Sequence, residues 1–367
     1  MTPLRTAPLA LALAAGPAAW VLTVLVGQRP ALVEWVWGER LARWYAMAVG
    51  AVTGLAPFSV AEVGGAALAG ALVVVVARAL RAGWRAARWR GLGRAARDQL
   101  VRAAVLASVG YAVFLLVWGV NARRIPLDEH LGLPTPPSGI DELAALYEEL
   151  VTQTNGLRAQ MPERDGIAVP LGDTDDILTR ATVLFHRASD RWPTLAGEYA
   201  APKAVLLSRG MSALGIAGIY IPFTGEANVS VDGPAFKLAF SVCHEMAHQR
   251  GFTREDEANF IAYRVARDTG DLDFRYAASF MAQVYTASAL GEVDYQRWRA
   301  LRLGVSPGVL ADAEAYAAWI QGTRTRASVV TRAVNDTYLR TQGSTGVQSY
   351  GEVVDLLLAD RRRRLGR

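Results

Sequence analysis

The chain contains very little cysteine and histidine, and three long stretches of its first 120 residues carry almost no charge. Its 367 residues include one cysteine, Cys243, and four histidines. One cysteine cannot form an intramolecular disulfide, which excludes a disulfide scaffold, and we expect Cys243 to be a small buried side chain. No internal repeat or heptad run occurs, which excludes solenoids and long coiled coils.

The stretches that lack charge predict a membrane region over residues 1–120. Apolar runs at about 7–27, 60–80 and 103–120 are each long enough to cross a hydrocarbon core of roughly 30 Å as a helix. For the first run, a cleavable signal peptide is the alternative. Residues 44–58 are also apolar, but they are few and are interrupted by Gly50, Gly54 and Pro57, so we predict a re-entrant or interfacial segment there.

The arginine-rich segment at 81–102 predicts the orientation in the membrane. Short arginine-rich loops beside spanning helices are normally retained in the cytoplasm. If residues 103–120 then cross the bilayer, everything after Asn121 lies outside the cytoplasm. The net charge of +5 comes largely from this loop and the terminal RRRRLGR, so we expect no nucleic-acid partner. The expected partner is the lipid bilayer, and the tail is interpreted as a solvated end or a weak contact with anionic lipid.

The composition after residue 120 is that of a water-soluble domain. Residues 121–139 are rich in proline and predict an arm leaving the membrane, followed by the domain at 140–367. Helical spacing of apolar residues predicts amphipathic helices from 140 and near 175–192. The convincing strand signals are AVLLS at 204–208 and GIAGIYIPF at 215–223, and the pattern is helical from 234 almost to the end. We therefore expect a mainly α fold with a small β element.

Two of the four histidines lie four residues apart, in SVCHEMAHQRG at 241–251. The DGP at 232–234 predicts the start of a helix, and Gly251 its end. Positions i and i+4 share one face of a helix, so His244 and His248 can bind one metal ion. Glu245 lies beside them, where a carboxylate can take a proton from water. This HExxH pattern is typical of zinc metallopeptidases, and the predicted cofactor is a zinc ion.

A catalytic zinc ion needs a third protein ligand. The metzincin pattern, HExxHxxGxxH, is excluded because Arg254 stands where its third histidine would be. A carboxylate from the following helix remains, and we prefer Glu255 to Glu257 because Glu255 shares a face with small residues. His130 and His186 are poorer candidates.

The segment REDEANFIA at 254–262 resembles the ExEAD segment of membrane gluzincins such as the heat-shock membrane proteases and the CAAX prenyl proteases. In those families the first glutamate binds zinc and the aspartate supports it. This chain has Asn259 in place of that aspartate, and its glutamate follows the second histidine much sooner. Asn259 either accepts a hydrogen bond from a liganding imidazole or packs.

A second resemblance covers nearly the whole chain. The chain is similar to an uncharacterised bacterial membrane family. The similar segments are the three N-terminal spans, GIYIPFTGEANV at 218–229, HEMAHQRGFTREDEANF at 244–260, DFRYA at 273–277, and NDTYL with GVQSYGEVVDLLL in 335–358. That family is described as a domain of unknown function with a predicted zinc-peptidase site. The resemblance implies a zincin-like, gluzincin-type α+β domain outside the cytoplasmic membrane of a bacterium, and it implies no substrate.

Hydrolysis of a peptide requires further groups. Residues 216–222 could hold an extended substrate, or could be a buried sheet strand. The donor that stabilises an oxyanion is predicted to be Tyr276, because of the DFRYA resemblance, with Arg275 and Tyr263 as other candidates; packing or a surface salt bridge is the alternative. Glu226 and Asn228 are expected to be exposed polar residues without an assigned role.

The expected function is that of a membrane-anchored zinc metallopeptidase acting on polypeptides or peptide-like envelope material. A second hypothesis keeps the zinc ion but makes the domain a non-catalytic sensor or interaction module. A third is a scaffold without metal. Glu245 separates the first two, because a purely structural ion needs no base beside it.

Overall fold

The computed structural model describes residues 7–85, 89–341 and 350–366, and the chain is mainly helical with few strands. The helices before residue 120 are α1 (Ala7–Val26), α2 (Pro30–Val33), α3 (Ala42–Thr53), α4 (Val60–Arg85) and α5 (Trp89–Val117), with a π-helical segment at Glu34–Leu41. A 3-10 turn at Gly119–Arg123 follows α5.

Three of these helices are long and apolar enough to cross a membrane: α1 over Pro8–Val26, α4 over Val60–Arg78 and α5 over Gln99–Val117. Their positions agree with the three predicted runs and are compatible with a membrane anchor. α3 and the turn after it are not among them, which agrees with the expectation that residues 44–58 do not span; their re-entrant or interfacial position stays a prediction. The third run ends earlier than predicted, because the chain leaves α5 at Trp118 and buries Val120 and Asn121 in the domain that follows.

The arginine-rich segment at 81–102 is largely helical where the structure describes it, since α4 continues to Arg85 and α5 begins at Trp89. Alanine and arginine are both strong helix formers, which explains why the helices extend beyond their apolar parts. Residues 86–88 lie outside the described residues.

The rest of the chain adds eleven helices among the described residues. They are α6 (Leu127–Leu131), α7 (Ile140–Arg158), α8 (Thr174–Ser189), α9 (Ser208–Ala213), α10 (Leu238–Gln249), α11 (Glu255–Arg267), α12 (Leu272–Val293), α13 (Tyr295–Arg302), α14 (Pro307–Gly322), α15 (Arg326–Thr341) and α16 (Tyr350–Arg364). Short 3-10 turns lie at Pro193–Leu195 and Ala235–Lys237. Within the arm predicted at 121–139, α6 is a short helix, and Leu127 and Leu133 are buried in the main core.

The strands form two small sheets. β1 (Glu163–Arg164) and β2 (Ile167–Ala168) form a hairpin. β3 (Lys203–Ala204), β4 (Gly218–Ile221) and β5 (Glu226–Val229) form a sheet in the order β3-β5-β4, with β5 parallel to β3 and antiparallel to β4. The strand predicted at 215–223 is thus present as β4. The strand predicted at 204–208 is wrong beyond Ala204, because α9 begins at Ser208. β5 was not predicted, since EANV carries two polar residues.

α10 lies at the centre of the domain, against α8, α11, α12, β4 and β5. α16 packs on α7, α11 and α12 and closes the same core. The terminal arginines are therefore not a free tail: Arg361 pairs with Glu149 and Arg362 with Glu142. This corrects the interpretation of RRRRLGR as a solvated end.

Two buried charged residues, Arg124 and Glu226, bond the domain to the segments before residue 121. Arg124 donates to the Glu34 carboxylate, at 2.9 Å from Nε, and to the Arg250 carbonyl oxygen. Glu226 on β5 accepts hydrogen bonds from the backbone N–H of Val60, at 2.9 Å, and of Ala61, at 2.7 Å. The first turn of an α-helix has N–H groups without a partner inside the helix, so Glu226 caps α4.

Candidate metal centre

α10 is held in place by its apolar face. Leu238, Ala239, Val242 and Met246 are buried in the main core. The helix ends before Gly251, whose φ of +85° is a left-handed conformation that favours glycine. His244 and His248 share the remaining face, which leads to α11.

His244, His248 and Glu255 converge on one point. The two Nε2 atoms are 3.0 Å apart, and Glu255 lies 3.2 Å from Nε2 of His244 and 3.8 Å from Nε2 of His248. Two nitrogens bound to one tetrahedral zinc ion at about 2.05 Å would be about 3.3 Å apart. Two nitrogens and one carboxylate oxygen are also a donor set that zinc prefers. The geometry and the chemistry of these residues therefore fit a zinc ion.

The second imidazole is oriented by the turn after α10. Nδ1 of His248 lies 2.6 Å from the carbonyl oxygen of Phe252, to which it can donate a proton, so Nε2 is left with its lone pair toward Glu255. Burial, together with the charge of the neighbouring His244, lowers the pKa of His248 to about 4. At neutral pH this imidazole is uncharged, the form that binds a metal.

The other two converging residues, His244 and Glu255, contact each other at 3.2 Å. Although burial opposes it, Glu255 raises the pKa of His244 through a hydrogen bond and its charge. Burial also acts against the Glu255 carboxylate, but the contacts with His244 and His248 hold its pKa at about 2. The side chain of Glu255 is 33% exposed and that of His244 15%, so the convergence point is open to solvent on this side.

The side chain of Glu245 extends from α10 toward β4. It is buried, the backbone N–H of Tyr220 interacts with its carboxylate, and its Oε2 atom has no hydrogen-bond partner among the described residues. Burial raises the pKa of this carboxyl to about 7, although the charges of His244 and Lys237 act in the opposite direction. Gly218 makes room for it, because a Cβ there would lie 2.6 Å from Cγ of Glu245.

Lys237 extends the histidine face by two turns. Its Nζ atom donates to Oγ of Ser241 at 2.7 Å and lies 5.8 Å from the ring centres of Tyr316 and Trp319. Burial lowers the pKa of this lysine to about 8, opposed by the charge of Glu245. A cation thus lies on the same helix face as His244 and His248.

Glu257, the other carboxylate considered, points away from the histidines. It accepts a hydrogen bond from the backbone N–H of Leu127, at 2.9 Å, and pairs with Arg254 at 3.2 Å. The structure therefore brings Glu255, and not Glu257, to the histidines. His130 and His186 are both exposed and lie outside this group.

Of the two alternatives for Asn259, the structure shows no contact with an imidazole among the described hydrogen bonds. Oδ1 of Asn259 accepts a hydrogen bond from the hydroxyl of Tyr285 at 3.0 Å. The orienting role belongs to the Phe252 carbonyl.

Tyr276 is not placed to stabilise an oxyanion at the metal residues. Its side chain is fully buried and its hydroxyl donates to Oδ2 of Asp312, which also accepts from Nε of Arg158 at 2.7 Å. This contradicts the prediction from DFRYA, because the one proton of the hydroxyl has another acceptor. Arg275 is half-buried, and Tyr263 accepts from Arg267 at 3.2 Å, so neither is brought to the histidines by a described contact.

Glu226 and Asn228 are buried, which corrects the expectation that they are exposed. Glu226 has no exposed surface and pairs with Nζ of Lys203 at 2.7 Å. Its role is structural, as the cap of α4.

Three contributors to the site were not identified from the sequence. They are the backbone of Tyr220, the small size of Gly218, and Trp118, whose ring centre lies 6.0 Å from that of His248 in an edge-on arrangement. Gly218 is visible in the sequence as the glycine of GIYIPF. The reason why a side chain is excluded there is seen only in the close approach of β4 to α10.

Comparison with known families matches residues 38–358 to the family described as "Protein of unknown function (DUF3810)". The match covers far more than half of the chain. The chain belongs to this family. The matched range contains α4, α5, the sheet, the three metal-binding candidates and most of α16, and it leaves out α1. No curated protein and no solved structure matches the chain.

Proposed function

We propose that the chain is a membrane-anchored zinc metallopeptidase that hydrolyses peptide bonds in polypeptides or peptide-like envelope material outside the cytoplasm. His244, His248 and Glu255 would bind the zinc ion, and Glu245 would be the general base. The main support is the convergence of two imidazoles and one carboxylate beside a buried glutamate, one of whose oxygens has no hydrogen-bond partner in the described part of the chain.

The residues suit general acid–base chemistry. When bound, zinc would polarise the scissile carbonyl group and lower the pKa of a water molecule. Glu245 would accept a proton from water and pass it to the leaving amine. Its pKa of about 7 supports both tasks, since a group with a pKa near the working pH gives and accepts protons readily.

The neighbouring sheet offers a place for an extended substrate. β4 is at the edge of the order β3-β5-β4, and no other described strand pairs with its outer side. Ala217 accepts from Ser230, so in the alternating antiparallel pattern the backbone groups of Gly218 and the carbonyl group of Tyr220 face outward, while the N–H of Tyr220 is bonded to the Glu245 carboxylate. A substrate strand added here would lie beside Glu245.

The side of the membrane is also part of the proposal. Arginines concentrate where α4 and α5 approach each other in sequence, which favours a cytoplasmic position for that end. Trp118 directly follows α5 and contacts His248, so the metal centre would lie close to the opposite, extracytoplasmic surface.

The test is zinc content per mole of the full-length chain, purified in detergent, for the wild type and the Glu255→Ala and Glu257→Ala variants. The full chain is required because Glu226 and Arg124 bind segments before residue 121. We expect near-stoichiometric zinc that is lost only with Glu255→Ala. A folded wild-type chain that binds no zinc after reconstitution would overturn the proposal.

Hydrolysis is then tested on a peptide library with the zinc-loaded wild type and with Glu245→Gln, a variant that keeps the shape of the side chain. Zinc binding without any cleavage by the wild type would favour the sensor or interaction module instead.

A further inference from the structure

A group of large apolar side chains is exposed next to the beginning of α4. Leu55 is 85% exposed, Leu206 82%, Leu207 61% and Phe58 45%. Single exposed leucines are ordinary, but neighbouring ones mark a contact with a protein or a membrane. We call these four residues the leucine surface. None of them belongs to a candidate membrane span.

The two segments that carry the leucine surface are bonded to each other. The Glu62 carboxylate accepts the backbone N–H of Leu206 at 3.0 Å and of Leu207 at 2.6 Å. Nζ of Lys203 donates to the carbonyl oxygens of Thr53, at 2.8 Å, and Phe58, at 2.9 Å. The loop after β3 is therefore fixed to the turn before α4 and to its first helical turn.

This attachment determines the depth of the loop in a bilayer. The apolar part of α4 begins at Val60, so the boundary of the hydrocarbon core lies near the first turn of that helix. Glu62 belongs to this turn, and it holds Leu206 and Leu207 at the same level. Exposed leucines at this level meet lipid rather than bulk water.

A basic residue follows the two leucines. The side chain of Arg209 is 95% exposed, and its ion pair with Asp232 is long, at 3.9 Å. An arginine beside apolar residues at a membrane boundary can extend its charged end to lipid phosphates. The sequence LLSR thus combines an apolar and a cationic contact.

We propose that the leucine surface inserts into the interfacial region of the bilayer that α4 crosses, so that the extramembrane domain itself is a lipid-binding element. The partner is a phospholipid surface, not a second copy of the chain, because the surface is continuous with a spanning helix. The inference rests on membrane anchoring and is independent of the metal. It also explains why AVLLS is apolar although it is not a strand.

The test uses full-length protein in lipid nanodiscs that hold one copy each. Leu206→Cys and, independently, Leu55→Cys carry a fluorescent probe, and phospholipids with a nitroxide at the headgroup or in the acyl chain serve as quenchers. Unmodified protein shows the labelling background, which is low because Cys243 is fully buried. Leu303→Cys is the matched control: Leu303 is 87% exposed and follows α13, which packs on α7 and α12. Leu72→Cys, in α4, reports on the span itself.

We expect headgroup nitroxides to quench the probes at positions 206 and 55 strongly, acyl-chain nitroxides to quench position 72, and neither to affect position 303. Quenching at 72 with none at 206 and 55 would overturn this inference and leave the anchor intact. No quenching at any position would overturn both the anchor and the inference. A probe at 206 that a second copy covers would lose its quenching in discs with two copies, which would also contradict the lipid contact.

Discussion

Glu226 and Glu245 are two buried glutamates on neighbouring elements, β5 and α10, with opposite surroundings. Glu226 accepts from Lys203 and from two N–H groups of α4, and although burial acts against the charge, these contacts lower its pKa. Among the residues that the structure describes, Glu245 has one oxygen without a hydrogen-bond partner, and burial raises its pKa to about 7. The first carboxylate is fully satisfied, and the second retains a free acceptor.

The two lysines of the chain repeat this contrast. Lys203 forms an ion pair with Glu226, whereas Lys237 is bonded to Ser241 and reaches Glu245 only through its charge. A satisfied buried carboxylate stabilises a fold, while one with a free oxygen and a raised pKa indicates a group that moves protons. The junction of Glu226 and Lys203 with the beginning of α4 is therefore structural, and it differs from the candidate catalytic centre at Glu245 in a way that does not depend on the metal.

The largest expected effect is on catalysis. Glu245→Gln removes the base but keeps the three metal-binding residues, so we expect zinc content to be unchanged and hydrolysis to fall by about 100- to 10,000-fold. Metal analysis and cleavage rates of the same preparation measure the two quantities. Unchanged cleavage by Glu245→Gln would remove the difference in role between the two glutamates.

The corresponding change at the junction affects stability. Glu226→Gln leaves the Lys203 ammonium buried without a counter-ion, and we expect a loss of about 3 to 5 kcal/mol in the free energy of unfolding. The control is Asp141→Asn, because Asp141 pairs with Arg297 but its side chain is 92% exposed; an exposed pair of this kind contributes about 1 kcal/mol or less. Equal losses in the two variants would contradict the structural role of Glu226.

Zinc binding should stabilise the wild type. At a free zinc concentration of 100 times Kd, the gain in unfolding free energy is about 2.7 kcal/mol. Thermal unfolding with and without a chelator measures it, and Glu255→Ala should abolish the difference. Glu257→Ala should keep the difference even if its overall stability is lower, because Glu257 bonds Leu127 and Arg254.

A smaller effect is expected where β4 meets α10. Gly218→Ala places a Cβ 2.6 Å from Cγ of Glu245, so one of them must shift, at a cost of about 1 to 3 kcal/mol. Zinc content should remain and cleavage should decrease. Gly270→Ala is the control, since nothing lies within 4 Å of the added atom. Full activity of Gly218→Ala would show that Glu245 needs no fixed position against β4.

The weakest expected effect is a pH dependence. The folded pKa of Glu226 is below its ordinary value of 4.5, so its stabilising contribution is complete above that pH. The contribution is lost as the pH falls below 4.5 and through the folded pKa. Urea unfolding at a series of acidic pH values should show a steeper loss for the wild type than for Glu226→Gln, and parallel curves would argue against a charged Glu226.

The sequence predicted what depends on local pattern. The three apolar runs, the helix with His244 and His248 on one face, and the choice of Glu255 over Glu257 follow from spacing and composition. The burial of Glu226 and Asn228 could not be predicted, because the order of polar and apolar residues in EANV does not distinguish a central strand from a loop. The orientation of Tyr276 toward Asp312 depends on two helices, α12 and α14, that meet only in the folded chain.

The cap of α4 has a consequence for the order of assembly. Val60 and Glu226 are separated by 166 residues, so α4 is synthesised long before its capping carboxylate exists. A chain elongating at a membrane would insert this helix with its first N–H groups uncapped, and the cap would form only after β5 has emerged and paired with β3 and β4. A nascent chain that ends before residue 226 therefore carries an incompletely bonded α4, and completion of the sheet is the step that joins the end of this apolar helix to the folded domain.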